Sequence, residues 1–211
     1  VMRLVGSEMC IRDSPEGGFS MRYPTNTGTE HLFEAGIWIG ALYNQSQLRV
    51  STASVTTSGG YARGGAGFEF TADAPISQRS SNPNDEYFSP FSVGEQDIIA
   101  QFSDKRRDIN GTPISGHDTP LFADVRLESY NWSFPFTENF TILRYDIINS
   151  SDKYAAPSTW DSVFVGMYAD LVVRNVNSAT ETGGAFFNKN GIGYLDSMYT
   201  AYVFDAGSPD N

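Results

Sequence analysis

Carboxylates are the groups best supplied for chemistry in this sequence, with 25 acidic side chains against 14 basic ones. Glu69, Glu128, Asp146, Asp161 and Asp170 fall in or beside stretches that alternate like β-strands. Two such groups facing each other across a cleft would be enough for glycoside hydrolysis, which places few demands on sequence spacing. So many acids, however, satisfy almost any separation by chance, and the preferred reading is charge on exposed strand faces. Histidine is scarce. His31 lies beside Glu30 and near Glu34, and His117 precedes Asp118, so either could serve as a base with an orienting acid if a nucleophile approached. Neither has metal-ligand spacing, and no G-x-S-x-G elbow occurs. Cys10 is the only cysteine.

Two further sets of residues suggest binding. Tyr130, Trp132, Phe134 and Phe136 alternate, so a strand continuing through them would line their rings along one face. Flat aromatic faces stack on sugar rings, although they more often pack sheets together. The run Asp205-Ala-Gly-Ser-Pro-Asp210-Asn211 gathers oxygen ligands in a turn after a strand, with Asp170 or Asp196 as a further donor. Its spacing departs from the EF-hand loop, so a calcium site competes with a plain polar turn. Calcium is the one cofactor this sequence suggests, and none is required. The glycine-rich stretch Ser58–Gly67 lacks the Lys or helix start that a phosphate cradle needs, and it reads as a turn.

The net charge of −11 argues against nucleic acid. The single basic cluster, Lys105-Arg106-Arg107, is flanked by Asp104 and Asp108 and reads as a solvated loop.

Strands must position these groups. The chain is rich in Phe and Tyr, period-two patterns dominate from residue 32 onward, and no stretch sustains helical spacing. Phe33–Leu42 reads as a buried strand with Ile37 and Ile39 on one face and Trp38 opposite. Gln47–Val55 is its hairpin partner across the Asn44-Gln45-Ser46 turn. Phe68–Phe70 and Asp97–Ser103 read as strands, whereas Ala72–Ser92, with Pro75, Pro83 and Pro90, reads as a long excursion without regular structure. Leu121–Ser133 and Asn139–Asn149 come next as two long strands. Consecutive apolar residues in the second, Ile142-Leu143 and Ile147-Ile148, suggest a central position buried on both faces. Asp161–Val173 is expected to pair with that strand, and a last strand spans Leu195–Phe204. The fold expected is all-β with little helix: an antiparallel β-sandwich, with a supersandwich-like arrangement or a barrel as alternatives.

Residues 1–14, VMRLVGSEMCIRDS, share no pattern with the rest of the chain and resemble the translation of a sequencing adapter. Residues 15–211 then form a single domain, expected to be an internal piece of a longer protein. Setting Cys10 aside leaves no thiol for catalysis, zinc or disulfides. Several segments together carry a family resemblance: Tyr23-Pro24, Ala35-Gly36-Ile37-Trp38-Ile39-Gly40, Gly94-Glu95-Gln96-Asp97, Ser129-Tyr130-Asn131-Trp132-Ser133 and Phe164-Val165-Gly166-Met167-Tyr168. They resemble large uncharacterised secreted proteins of marine and Bacteroidetes-related bacteria, many of which end in a type IX secretion sorting domain. That pattern has a longer carboxylate run where this chain continues from Asp170 into Leu171-Val172-Val173-Arg174.

The resemblance implies a secreted or cell-surface address. The function expected is a non-catalytic structural, adhesion or polymer-binding module, with other domains of the same polypeptide and extracellular polysaccharide as partners. No transmembrane segment or nucleic acid is expected. A carbohydrate-active enzyme domain, a carbohydrate-binding accessory domain and a calcium-stabilised repeat stand as alternatives.

Overall fold

A computed structural model describes residues 21–22, 30–53, 69–109, 111–114, 116–137, 140–171, 173 and 190–205. Over these residues the protein is all-β. Its strands are β1 (Met21–Arg22), β2 (Glu30–Tyr43), β3 (Gln47–Thr52), β4 (Thr71–Ala72), β5 (Ser77–Ser80), β6 (Gln96–Ser103), β7 (Asp108–Ile109), β8 (Thr112–Pro113), β9 (Ala123–Asn131), β10 (Ile142–Asn149), β11 (Trp160–Leu171), β12 (Asn190–Leu195) and β13 (Thr200–Asp205). Helix is limited to one turn, α1 (Ser151–Tyr154), and a 3-10 turn at Asp196–Met198. No helix among the described residues is long and apolar enough to cross a membrane.

The chain divides into two compact units, one spanning Ala35–Tyr168 and the other built from Ser14–Glu34 and Ala169–Asn211. In the first, β2 and β3 form the expected hairpin, with Trp38 opposite Thr52 and Tyr43 opposite Gln47. Asn44 and Gln45 take left-handed backbone angles at its turn, a conformation that matches the twist of the flanking strands. Alternation along β2 sends Ile37, Ile39, Ala41 and Tyr43 into the core and leaves Trp38 to stack on Tyr168 of β11, with ring centroids 6.1 Å apart.

A second sheet runs β10-β9-β6-β4, with β5 also paired to β6, and every pairing in it is antiparallel. Its inward residues, Ala100, Phe102, Val125 and Leu127, join those of β2 in one apolar cluster with Phe70 and Leu121. Side chains of alternate positions thus bury one face of each sheet together.

Several expectations from the sequence need correction. The stretch 72–92 is not wholly irregular, because β5 pairs with β6 from Ser77–Ile99 to Ser80–Gln96. Three prolines do not prevent this, since none lies within the four residues of β5. Glu69 and Phe70, expected to end a strand, precede one; pairing begins at Thr71, and Phe70 is a core residue in edge-to-face contact with Phe102. β10 is not central. Among the described strands it ends the sheet, and while Leu143, Tyr145 and Ile147 pack on the core, Ile142 and Ile148 are 46% and 55% exposed. β11 pairs with β2 rather than with β10. Consecutive apolar residues in a strand mark two apolar faces, and here the second face of β10 meets solvent.

In the second unit β1 pairs with the start of β2, Met21 facing Leu32. The expected final strand, Leu195–Phe204, is instead a hairpin of β12 and β13 turning through Asp196–Met198. Gly191 and Gly193 face Phe204 and Tyr202 directly across it, and a Cβ on either glycine would run into the opposing ring. Aromatic rings thus fold over bare glycine backbone in this hairpin.

The edge placement of β10 sets a contrast that equilibrium urea unfolding can measure. Ile39→Ala, which empties a fully buried site, is expected to cost about 2–5 kcal/mol. Ile148→Ala is expected to stay within about 0.5 kcal/mol. Comparable losses at the two positions would contradict this arrangement.

Candidate functional site

Two clusters of polar residues are built into this scaffold, one buried and one open. The buried one centres on Asp104, which comes directly after β6 and has no exposed surface. Phe122 adopts a left-handed backbone, φ 62°. This turns the amides of both neighbours toward one point, so Leu121 N–H and Ala123 N–H donate to Oδ2 and Oδ1 of Asp104, each at 2.7 Å. Ser51 of β3 donates its hydroxyl to Oδ2 at 2.6 Å. His117, also buried, places Nε2 2.5 Å from the Asp104 carbonyl oxygen. Nearby Glu69 accepts from the amide and hydroxyl of Thr52.

Burial pushes the Asp104 carboxyl upward, and hydrogen bonds from Ser51, Ala123 and Leu121 offset only part of that rise. Glu69 is raised for the same reason, against its bonds from Thr52. These acids lie inside the fold, and Asp104 spends its lone pairs on backbone and Ser51.

The open cluster begins on β5. Arg79 extends across β6 and β9, its Nη2 lying 3.2 Å from Asp97 and 2.8 Å from Glu128. Asp97, fully buried, accepts from Val93 N–H at 2.9 Å and Gly94 N–H at 2.7 Å, which pins the loop entering β6. A Cβ on Gly94 would come within 2.7 Å of the Asn131 carbonyl, so glycine is needed there. Burial acts to raise the Glu128 carboxyl, but hydrogen bonds from Arg126 and Tyr130 and the charge of Arg79 outweigh it and hold the group low.

Around this ion network the chain folds through short side-chain turns: Asn82 accepts from Asn84 N–H at 3.0 Å and Asp85 from Tyr87 N–H at 2.9 Å. The result is a cleft of about 820 Å³ bounded by Arg79, Asn82, Asp85, Glu86, Tyr87 and Glu95 among others.

The aromatic stripe read from the sequence is divided by this architecture. β9 ends at Asn131, so the four rings do not share one strand face. Tyr130 is buried and donates its hydroxyl to Glu128 at 2.9 Å, and Trp132 is half-buried. Phe134 and Phe136 instead occupy a turn closed by Thr137 N–H on the Phe134 carbonyl at 2.8 Å, with Pro135 fixing its backbone. Their rings lie parallel to within 6°, with centroids 5.8 Å apart, and are 49% and 81% exposed. Glu95 joins this turn to the cleft: its carboxylate accepts from Ser133 N–H at 3.1 Å and from the Ser133 hydroxyl at 2.5 Å.

Neither a protein-family model, a curated protein nor a solved structure matches this chain.

The other predicted groups are dispersed. Glu69 and Glu128 are buried rather than spread on exposed strand faces, because each has donors arranged around it. Asp146 pairs with Arg144 of its own strand. Of the proposed calcium ligands, Asp170 and Asp205 lie at strand positions on β11 and β13, and Asp210 lies outside the described residues. Among the described residues no three His, Cys, Asp or Glu side chains are grouped to hold a metal ion. The glycine-rich stretch Ser58–Gly67 lies outside the described residues. Lys105 is not merely solvated, since it pairs with Asp73 and approaches Tyr154.

Sequence reasoning passed over Asp97 and Asp104, the two most buried acids among the described residues. An Asp three residues after Gly94 is placed to reach back to that loop's amides, which is the only local signal either carries.

Asp104→Asn substitutes a donor NH₂ for one acceptor oxygen and is expected to cost about 1–3 kcal/mol in urea unfolding. The raised acids Glu69 and Asp104 contribute stability that is greatest below the ordinary carboxylate range and is lost as pH rises through their elevated folded-state values. Glu128, held low, contributes in the opposite sense: its share is present above the ordinary range and is lost on acidification. The variant should therefore show a smaller loss of stability than the parent on moving from that range toward neutral pH. An unchanged pH profile would refute this assignment.

Proposed function

We propose that this chain is a non-catalytic, polymer-binding β-sandwich module of an exported bacterial surface protein, with the cleft and the Phe134–Phe136 turn forming its binding site. The observation carrying this reading is the exposed, parallel pair of phenyl rings held on a proline turn and tied by Glu95 to the rim of a polar cleft. A sugar ring offers a C–H face to aromatic rings and hydroxyls to amides and carboxylates. A cleft with an aromatic step at its edge answers both needs.

The engagement of the acids favours binding over hydrolysis. Glu95 is held by Ser133, and Glu128 by two arginines and a tyrosine. A general acid in glycoside cleavage needs a carboxyl kept protonated beside the scissile bond. The acids raised in this way, Glu69 and Asp104, belong to the interior. The sandwich reading is supported by the single apolar cluster shared by two sheets. Export and a surface address rest on the family resemblance.

Affinity electrophoresis through gels containing polysaccharides tests this reading. Retardation on at least one polymer is expected, and Phe136→Ala should weaken it about tenfold with the unfolding temperature unchanged. Retardation of parent and variant alike would remove the aromatic turn from the site. A rise in unfolding temperature with calcium, and no retardation, would favour the calcium-stabilised repeat instead.

A further inference from the structure

We propose that the polymer bound at this site is an uncharged glycan, as opposed to a uronate or sulfated one. This inference rests on the polymer-binding reading and adds the chemical class of the ligand.

Charge at the cleft is the first ground. Three carboxylates, Asp85, Glu86 and Glu95, line it, and Arg79 is the one cation among its described lining residues. Arg79 is already committed to two acids, Asp97 at 3.2 Å and Glu128 at 2.8 Å, of which Asp97 is fully buried. Withdrawing the guanidinium to meet an anionic sugar would strand a buried negative charge, a change that costs more than a surface contact returns. A polyanion would therefore face three carboxylates without an available cation, and the chain's net charge of −11 would oppose its approach over longer range.

The remaining lining supplies the second ground. Gln78, Ser80, Ser81, Asn82, Tyr87 and Gln96 offer neutral donors and acceptors. Neutral amides and hydroxyls match the mixed donor and acceptor character of sugar hydroxyls. Two of the acids are also partly occupied, Asp85 by Tyr87 N–H and Glu95 by Ser133. Their remaining lone pairs are open to hydroxyl donors.

Beside the cleft, Phe134 and Phe136 stack on one another with much of their rings exposed, and such an aromatic surface rewards an unsubstituted pyranose face. Stacking of this kind changes little with salt, whereas binding driven by ion pairs weakens steeply as salt screens it.

The test sets the chain against three classes of polymer at low and high salt: neutral glucans and mannans, alginate and sulfated galactans, and chitosan. Binding to a neutral polymer that changes less than about twofold with salt, and no binding to the polyanions, is the expected result. Tighter binding to a polyanion, or salt-suppressed binding to chitosan, would overturn the inference while leaving polymer binding in place. Binding to none of the three classes would overturn the polymer-binding reading itself. The double variant Asp85→Asn/Glu86→Gln should gain retention on alginate, because the substitutions remove negative charge from the cleft lining at half-buried Asp85 and exposed Glu86, neither of which belongs to the apolar core. If that variant folds with the parent's unfolding temperature and gains nothing, the rim carboxylates do not set the selectivity.

Discussion

One buried carboxylate joins the parts of the first compact unit. Asp104 directly follows β6, receives the hydroxyl of Ser51 from β3, and receives two amides from the segment leading into β9. Three separate pieces of chain therefore converge on two oxygen atoms with no exposure to water. Phe122 sits between the two amide donors in a backbone conformation that bulky residues avoid, at a cost of order 1–3 kcal/mol. Three hydrogen bonds onto the Asp104 carboxyl, from Ser51, Leu121 and Ala123, act against that strain. Arg49, stacked on Tyr43 and donating to the Pro120 carbonyl, reinforces the same junction from β3. A hydrophobic core tolerates small shifts between layers, but a cradle of directed bonds does not. It thereby fixes where β6 starts its neighbour β9.

From that fixed register comes the cleft. β6 and β9 pair from Gln96–Asn131 to Ser103–Asp124, so placing one end sets the other. At the far end the same two strands bring Glu95 beside Ser133 and Asp97 beneath Arg79. The interior acids and the rim acids thus serve different ends of one strand pair. Those at the base hold the sheets in place, and Glu95 at the mouth lines the cleft.

Much of this was legible in the sequence, and the limits were physical ones. The β2–β3 hairpin, the strands at β6 and β9, and the facing of Ile37, Ile39, Val125 and Leu127 derive from alternation and turn residues, which are local. Partner choice is not local. An apolar pair such as Ile147-Ile148 reports that both faces of a strand are greasy, and it cannot tell whether another strand lies alongside. The aromatic stripe failed for a related reason: β9 ends at Asn131 before its rings can align, yet the turn at Pro135 keeps two of them parallel. Asp97 and Asp104 look like surface charge in sequence because most of their donors are backbone amides, which nearly every residue carries.

The hairpin turn at Asn44 has a consequence for how the chain assembles. Its amide donates to the Thr159 carbonyl at 2.9 Å, and its side-chain oxygen accepts from Thr159 N–H at 3.1 Å, closing a separation of 115 residues. β2 and β3 can zip together as soon as both have left the ribosome, for their contacts span only a tight turn. The docking of β11 must wait until more than a hundred further residues have been made, and loop closure over such a distance is slow. Throughout that interval one flank of β2 has unpaired amides and carbonyls. The nascent chain therefore passes through a stage when that flank can capture a strand from a neighbouring molecule, and the left-handed Asn44 is the latch that ends it.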